Sequence, residues 1–185
     1  MDSFYTEKEL ENIGFKKMGT NIKISRKASI YSPEKMSFGN NIRIDDFCLL
    51  NGTIELENNI YIAGFTALHG EHKIHMGSFS TIASHGNIYS SSSDYSGEFM
   101  TNPLVPDEFH ISKRAEVEIG KHAIIGASCV LLPGGSVGEG TSVGSLSLIK
   151  TNLPSWTVCA GIPAKPIKKR NKQILELEKE YLSLK

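Results

Sequence analysis

This 185-residue chain lacks most of the features that would send a protein to a special environment. Basic and acidic residues balance at 20 each. No net field therefore draws the molecule as a whole to nucleic acid or a membrane surface. No stretch approaches the roughly 18 consecutive apolar residues of a membrane span. The opening residues, MDSFYTEKEL, have neither a basic start nor an apolar run, so no signal peptide is expected. The cysteines, Cys48, Cys129 and Cys159, are odd in number and form no close pair. A disulfide framework is not expected, and a reducing cytoplasm is the expected compartment. The length suits one domain, or one with a small appendage.

What is present is a repeat. From Ile119 to Lys150 the chain reads IGKHAI-IGASCV-LLPGGS-VGEGTS-VGSLSL-IK. Ile119, Ile125, Leu131, Val137, Val143 and Ile149 recur at every sixth place, and glycine follows four of them. Ala123, Cys129, Gly135, Thr141 and Ser147, all small, sit further along each unit. A period of six suits neither an α-helix nor one long strand. It predicts a solenoid in which each unit makes a short strand and a bend, and three units close a triangular coil. The aliphatic residue points inward, and its small neighbour lets the backbone bend.

The same period begins near Ile22. It runs through Ile24, Ile30 and Met36, slips by two, and resumes from Phe38 to Ile74. A second slip of two leads to Met76, Ile82 and Ile88. Extra residues bulging at a corner would leave the coil intact. Asn40-Asn41 and Asn58-Asn59 suit corners with positive φ. Residues 89–116 have no aliphatic register and form a long loop whose aromatic content argues against disorder. Before the coils, Thr6 and Glu9 match a capping box, Leu10 and Ile13 supply an apolar edge, and Gly14 is a stop. On its pattern alone this helix is expected to cover the open first coil. From Pro166 the pattern predicts a helix, with Ile174, Leu177 and Leu182 along one stripe, capping the last coil. The expected division is a helical segment over 1–20, a β-helix over 21–162, and a tail with a helix over 163–185.

The segment VGEGTSVGSLSLIKTNLPSWTVCAGIPAKPIKKR, with its six-residue units and Gly-x-Pro-Ala-Lys turn, resembles the hexapeptide-repeat acetyltransferases. That family includes galactoside and maltose O-acetyltransferases and sugar acetyltransferases of surface-glycan synthesis. The resemblance runs from about Ile22 to Arg170. It implies an all-β solenoid, a left-handed parallel β-helix with an extruded loop. The left hand departs from the usual crossover rule and rests on the resemblance alone. It also implies acetyl-CoA as acyl donor, a cyclic homotrimer with sites between subunits, and a sugar or nucleotide-linked amino-sugar acceptor in lipopolysaccharide or capsule synthesis. No metal is expected.

Site residues follow from matching positions. Ala127, Gly144 and Ser145, with Lys150 and Thr151, would line the slot for the pantetheine arm. Lys165 and Lys168 would meet the phosphates as point charges. The plain alternatives are ordinary coil turns and a solvated charge run. The relatives keep a histidine base in the extruded loop, and here that position is Ser93. Asp94, His85 and His69 are the candidate replacements, although a lone surface histidine is more often only that. Glu71, Ser93 and Tyr95 are expected to face the acceptor. An amine acceptor would need no protein base, because its neutral form is already nucleophilic and the departing thiolate can take the proton.

Two other classes remain open at this point. His69, His72 and His75 raise a γ-carbonic-anhydrase-like metal site, with His85 a possible further ligand. A non-catalytic trimeric scaffold is the third reading. Metal analysis and CoA binding separate them.

Overall fold

The computed structural model describes residues 3–184, so Met1, Asp2 and Lys185, at the ends of the two terminal segments, lie outside the described residues. The chain winds into a parallel β-solenoid of about 7 turns. Each turn has three faces. On the first face the inward column climbs from Phe38 through Leu56, Met76, Ile119 and Val137 to Leu153. On the second it climbs from Ile24 through Ile44, Ile62, Ile82, Ile125 and Val143 to Cys159. On the third it runs from Ile30 through Leu50, Leu68, Ile88 and Leu131 to Ile149. From the second turn upward these residues are at most 4 % exposed, so the expected register is the one that forms.

The small residues earn their places in two different ways. Ala123, Cys129, Gly135, Thr141 and Ser147 are buried at the corners, where the interior narrows. The glycine after each aliphatic residue answers to crowding, not to an unusual bend. A Cβ on Gly126 would lie 2.6 Å from the Ser145 nitrogen of the next turn. The positive-φ residue of each corner is usually not glycine: Asn41 and Asn59 take it as expected, but so do Phe47, Phe65 and His85.

Every surplus residue leaves the coil at one corner, between the third face and the first face of the next turn. The first slip is a short 3₁₀ turn over Pro33–Lys35. The second is the bulge where Gly52/Thr53 face Gly70 and Lys73. The long loop leaves at this corner too. Its base is an antiparallel pair, Ser91–Ser93 against Ser112–Arg114.

The ends are closed separately. Helix α1 (Glu7–Ile13) has the full capping box from Thr6 and Glu9 and stops at Gly14 with φ 86°. Leu10, 1 % exposed, joins the core, and Arg26 grips Glu9 at 2.6 Å. The helix therefore covers the first coil. At the other end the expected helix from Pro166 does not form. Ala164–Lys169 is instead a strand, folded back antiparallel on Thr157–Gly161. An open sheet edge is satisfied by backbone hydrogen bonds, which a helix cannot offer. Helix α2 spans only Ile174–Ser183 and does not cap the last coil. It lies along the corner between the first and second faces. There Glu178 meets Lys121 at 2.6 Å and His122 at 2.8 Å. Burial pushes the Glu178 carboxyl up, but these two partners more than reverse it and leave it below the usual range.

The inward columns predict that Ile125→Ala destabilises the fold by about 2–4 kcal/mol, from lost burial and the cavity left behind. Chemical denaturation of the variant checks this, and a neutral substitution would contradict the register.

Candidate active site

The third face carries most of the expected residues on its outer surface and two corners. Its strands are three residues wide, with the middle residue inward and both flanking residues outward. One outer column passes through Asn87 and Val130, and the other through His69 and Tyr89. Leu132 continues the second column and donates its N–H to the Ile149 carbonyl at 2.9 Å, with Lys150 in the next turn. The loop overhangs this face. A groove of about 510 Å³ lies between them, lined by Asn87, Tyr89, Val130, Leu132 and the loop residues Ser91, Ser92, Ser93 and Tyr95. A second hollow of about 420 Å³ shares Ser92, Ser93 and Tyr95 and adds Asp94 and Phe99. A larger cleft of about 640 Å³ on the first face holds, of the candidate site residues singled out in the sequence, only His75.

His69 and Tyr89 are direct cross-strand partners, their rings 4.7 Å apart and 1° from parallel. Burial pushes the His69 ring down in pKa, against an upward pull from Glu71. Ser90, fully buried, locks the loop's departure point. It donates to the His69 carbonyl at 3.0 Å and accepts the His72 N–H at 2.9 Å. Glu71 is exposed on the bulge beside Arg114 of the loop stem, 4.0 Å away.

Asp94 ends the stem. Its carboxylate accepts the N–H and Oγ–H of Ser96 and the N–H of Gly97, each at 3.0 Å, and the N–H of Phe99 at 3.3 Å. These donors, the Ser96 N–H foremost, hold its pKa down to about 2. Asp94 therefore shapes the turn just beyond the stem and stays ionised. Tyr95 beside it is 93 % exposed.

His85 occupies the opposite edge, the corner between the second and third faces. It sits at φ 63° with its ring 5.0 Å from Phe65. The sequence offered no means of separating His85 from His69 across one face. Ala127, Gly144 and Ser145 share the His85 corner in the turns above, and register aligns Ser84 beneath them. Lys150 and Thr151 are exposed at the other edge, away from that column. Lys165 and Lys168 lie exposed on the returning strand at the top. Asn87 and Tyr89, which line the groove, went unnoticed, because only the cross-turn register brings them there.

The three histidines of the metal reading are not gathered. His69 lies on the third face, His72 on the exposed bulge, and His75 on the first face, 2.6 Å from Glu118 and 3.4 Å from Glu57. Among the described residues no group of three or more His, Cys, Asp or Glu side chains is placed to hold a metal ion. No helix of the described residues is long and apolar enough to cross a membrane.

A hexapeptide coil with a grooved face, an overhanging loop and lysines at its end is the architecture of an acyltransferase that draws on a CoA thioester. No family model matches the chain. A dTDP-4-amino-4,6-dideoxy-D-glucose acyltransferase of Escherichia coli is 42% identical over 97% of this chain and 95% of its own length. A putative lipopolysaccharide biosynthesis O-acetyl transferase, WbbJ, of Escherichia coli K12 is 29% identical over 84% of this chain and 80% of its own. Among solved structures, AntD, an N-acyltransferase from Bacillus cereus in complex with dTDP and 3-hydroxybutyryl-CoA, has 42% identity and a TM-score of 0.96, covering 99% of this chain and 98% of that one. Its S84C mutant, bound to dTDP-4-amino-4,6-dideoxyglucose and coenzyme A, superposes with a TM-score of 0.97, and a D94N mutant is also among the neighbours. The chain belongs to the hexapeptide-repeat sugar acyltransferases. It is an acyl-CoA-dependent enzyme.

The cradle around Asp94 makes a pH prediction. Its folded pKa lies below the ordinary value of 3.8, so the loop anchor is complete above that value and is lost as pH falls through about 2. The Gly97 and Phe99 amide resonances should titrate with a midpoint near 2, and a midpoint near 3.8 would show that the cradle does not hold.

Proposed function

We propose that this protein transfers an acyl group, acetyl in the first instance, from acyl-CoA to the amine of a dTDP-linked 4-amino-4,6-dideoxyhexose. It would do so as a cytoplasmic homotrimer, supplying an N-acylated sugar for a surface polysaccharide. The observation that carries this reading is the state of Asp94. A carboxylate with a pKa near 2 is a poor proton acceptor. It is well suited to steady positive charge. The neutral amine attacks the thioester carbonyl, and positive charge develops on nitrogen beside Asp94. The C–S bond then breaks, and the thiolate takes the proton, leaving an amide and CoA–SH. Ser84 supports the same reading. AntD carries substitutions at its Ser84 and Asp94 in several of its solved forms, and this chain has Ser84 and Asp94. Ser93, Tyr95 and Glu71 line or flank the acceptor's approach.

In this reading the pantetheine arm follows the corner of Ala127, Gly144 and Ser145, and Lys165 and Lys168 hold phosphates. The exposed loop, with Tyr95 just beyond its stem, reaches the groove of a neighbouring copy. Lys150 and Thr151, on the far edge of the third face, can then meet a cofactor lying against a neighbour's corner. A second reading keeps a hydroxyl acceptor with His69 as base, because burial keeps that ring uncharged near neutral pH. His85, exposed at the other corner, is the remaining base candidate.

Steady-state kinetics on the amino sugar separate the readings. Asp94→Asn should lower kcat about 100-fold, the scale of one lost charge-stabilising contact, with acetyl-CoA affinity held. Loss of turnover in His69→Ala or His85→Ala, with Asp94→Asn active, would favour a histidine base on a hydroxyl. For the donor, Lys165→Ala should weaken CoA in calorimetry up to about fivefold, as an exposed charge contact does, and the loss should shrink with salt. Lys172→Ala should change it little, and equal effects would remove Lys165 from the phosphate site.

A further inference from the structure

Two corners of the solenoid carry side chains at positive φ, and they are finished differently. At the corner between the first and second faces the lower turns use Asn21, Asn41 and Asn59, a residue type that tolerates this backbone well. Higher up, Phe79, His122 and Trp156 take the position, and helix α2 roofs Phe79 and His122. At the corner between the second and third faces the order is reversed. The upper turns have Ser128 and Leu146, and the lower ones have Phe47, Phe65 and His85 at φ 60°, 61° and 63°. A bulky ring in this conformation is strained and is usually held for a purpose. The three rings stack at 4.9 and 5.0 Å, tilted by 27° and 29°. Phe47 and Phe65 remain 52 % and 54 % exposed, and no element of the described residues covers them.

The ladder forms the column next to Ser84 at this corner, topped by His85, while Ala127 and Ser145 continue the Ser84 column above. One edge of the site is thus divided into two zones that meet at Ser84 and His85. The upper zone has no rings: Ala127, Ser128 and Ser145 are small, with Leu146 exposed at its outer side, and it suits an extended thioester arm. The lower zone is a wall of ring edges. A nucleotide sugar has one flat, apolar-faced part, its base. A base lying across ring edges makes the edge-to-face contact that aromatic groups favour.

We infer that the edge of the Phe47–Phe65–His85 ladder is the platform for the pyrimidine base of the nucleotide-sugar acceptor, with Phe65 at its centre. Donor and acceptor then lie end to end along one corner, and the sugar amine meets the thioester at Ser84. This rests on the reading of the acceptor as a dTDP-sugar.

The variant Phe65→Asn removes the ring and keeps a residue suited to the backbone, as Asn59 shows at the other corner. Calorimetry with dTDP and acetyl-CoA, alongside light scattering for assembly, makes the test. The wild type should bind dTDP, and Phe65→Asn should bind it about tenfold more weakly, the scale of one lost stacking partner. Acetyl-CoA affinity and assembly should be unchanged, and Phe65→Tyr should restore dTDP binding. Equal dTDP affinity in wild type and Phe65→Asn would overturn the inference. So would dissociation of Phe65→Asn into monomers, which would make the ladder a contact between copies. A wild type that binds acetyl-CoA but no dTDP would instead overturn the acceptor reading itself.

Discussion

The structure depends on the close approach of one turn to the next. Parallel strands in adjacent turns must sit roughly 4.8 Å apart to share backbone hydrogen bonds. That spacing leaves no room for a side chain on Gly126 against Ser145, or on Gly120 against Glu139. It also stacks Ile82, Ile125 and Val143 into one dry column. The glycines and the aliphatic column are two consequences of a single constraint. The same stacking repeats outward-facing residues at fixed spacing, which is how a solenoid builds an extended site from single residues in separate turns.

Freedom is confined to one corner. The 3₁₀ turn at Pro33–Lys35, the bulge at Gly70–Lys73 and the long loop all leave between the third and first faces. The faces themselves cannot accept insertions without breaking register, whereas a corner can lengthen outward. The groove under the loop opens beside that corner for this reason. Ser90 ties the loop's root to the bulge, and Asp94 ties the turn just beyond its stem, so this exposed segment is held in shape by local hydrogen bonds and not by a core.

The charges divide the work in a similar way. Asp94 accepts four hydrogen bonds from its own loop and stays ionised. His69, half-buried against Tyr89, is also lowered in pKa, which for a histidine favours the neutral ring; burial is the cause, with Glu71 pulling against it. The lysines at the top, Lys165 and Lys168, remain exposed on the returning strand. Helix α2 is docked by His122 and Glu178, well away from these groups.

The sequence alone determined the solenoid, its register and the loop. Inward position recurs every six residues, and a local period survives without knowledge of contacts. It also determined α1, whose capping box is local. What it could not determine was anything set across turns. The segment after Pro166 has a helical pattern of apolar residues but becomes a strand, because the open sheet edge it meets exists only in the folded chain. His69 and His85 read alike as lone histidines, yet the coil puts them on opposite edges of one face. Lys150 and Ser145, close in sequence, part to different edges for the same reason. Phe47, Phe65 and His85 are far apart in the chain and form one ladder only because each turn brings the same corner back to the same line. A repeat fixes which residues are inside; only the winding decides which outward residues become neighbours.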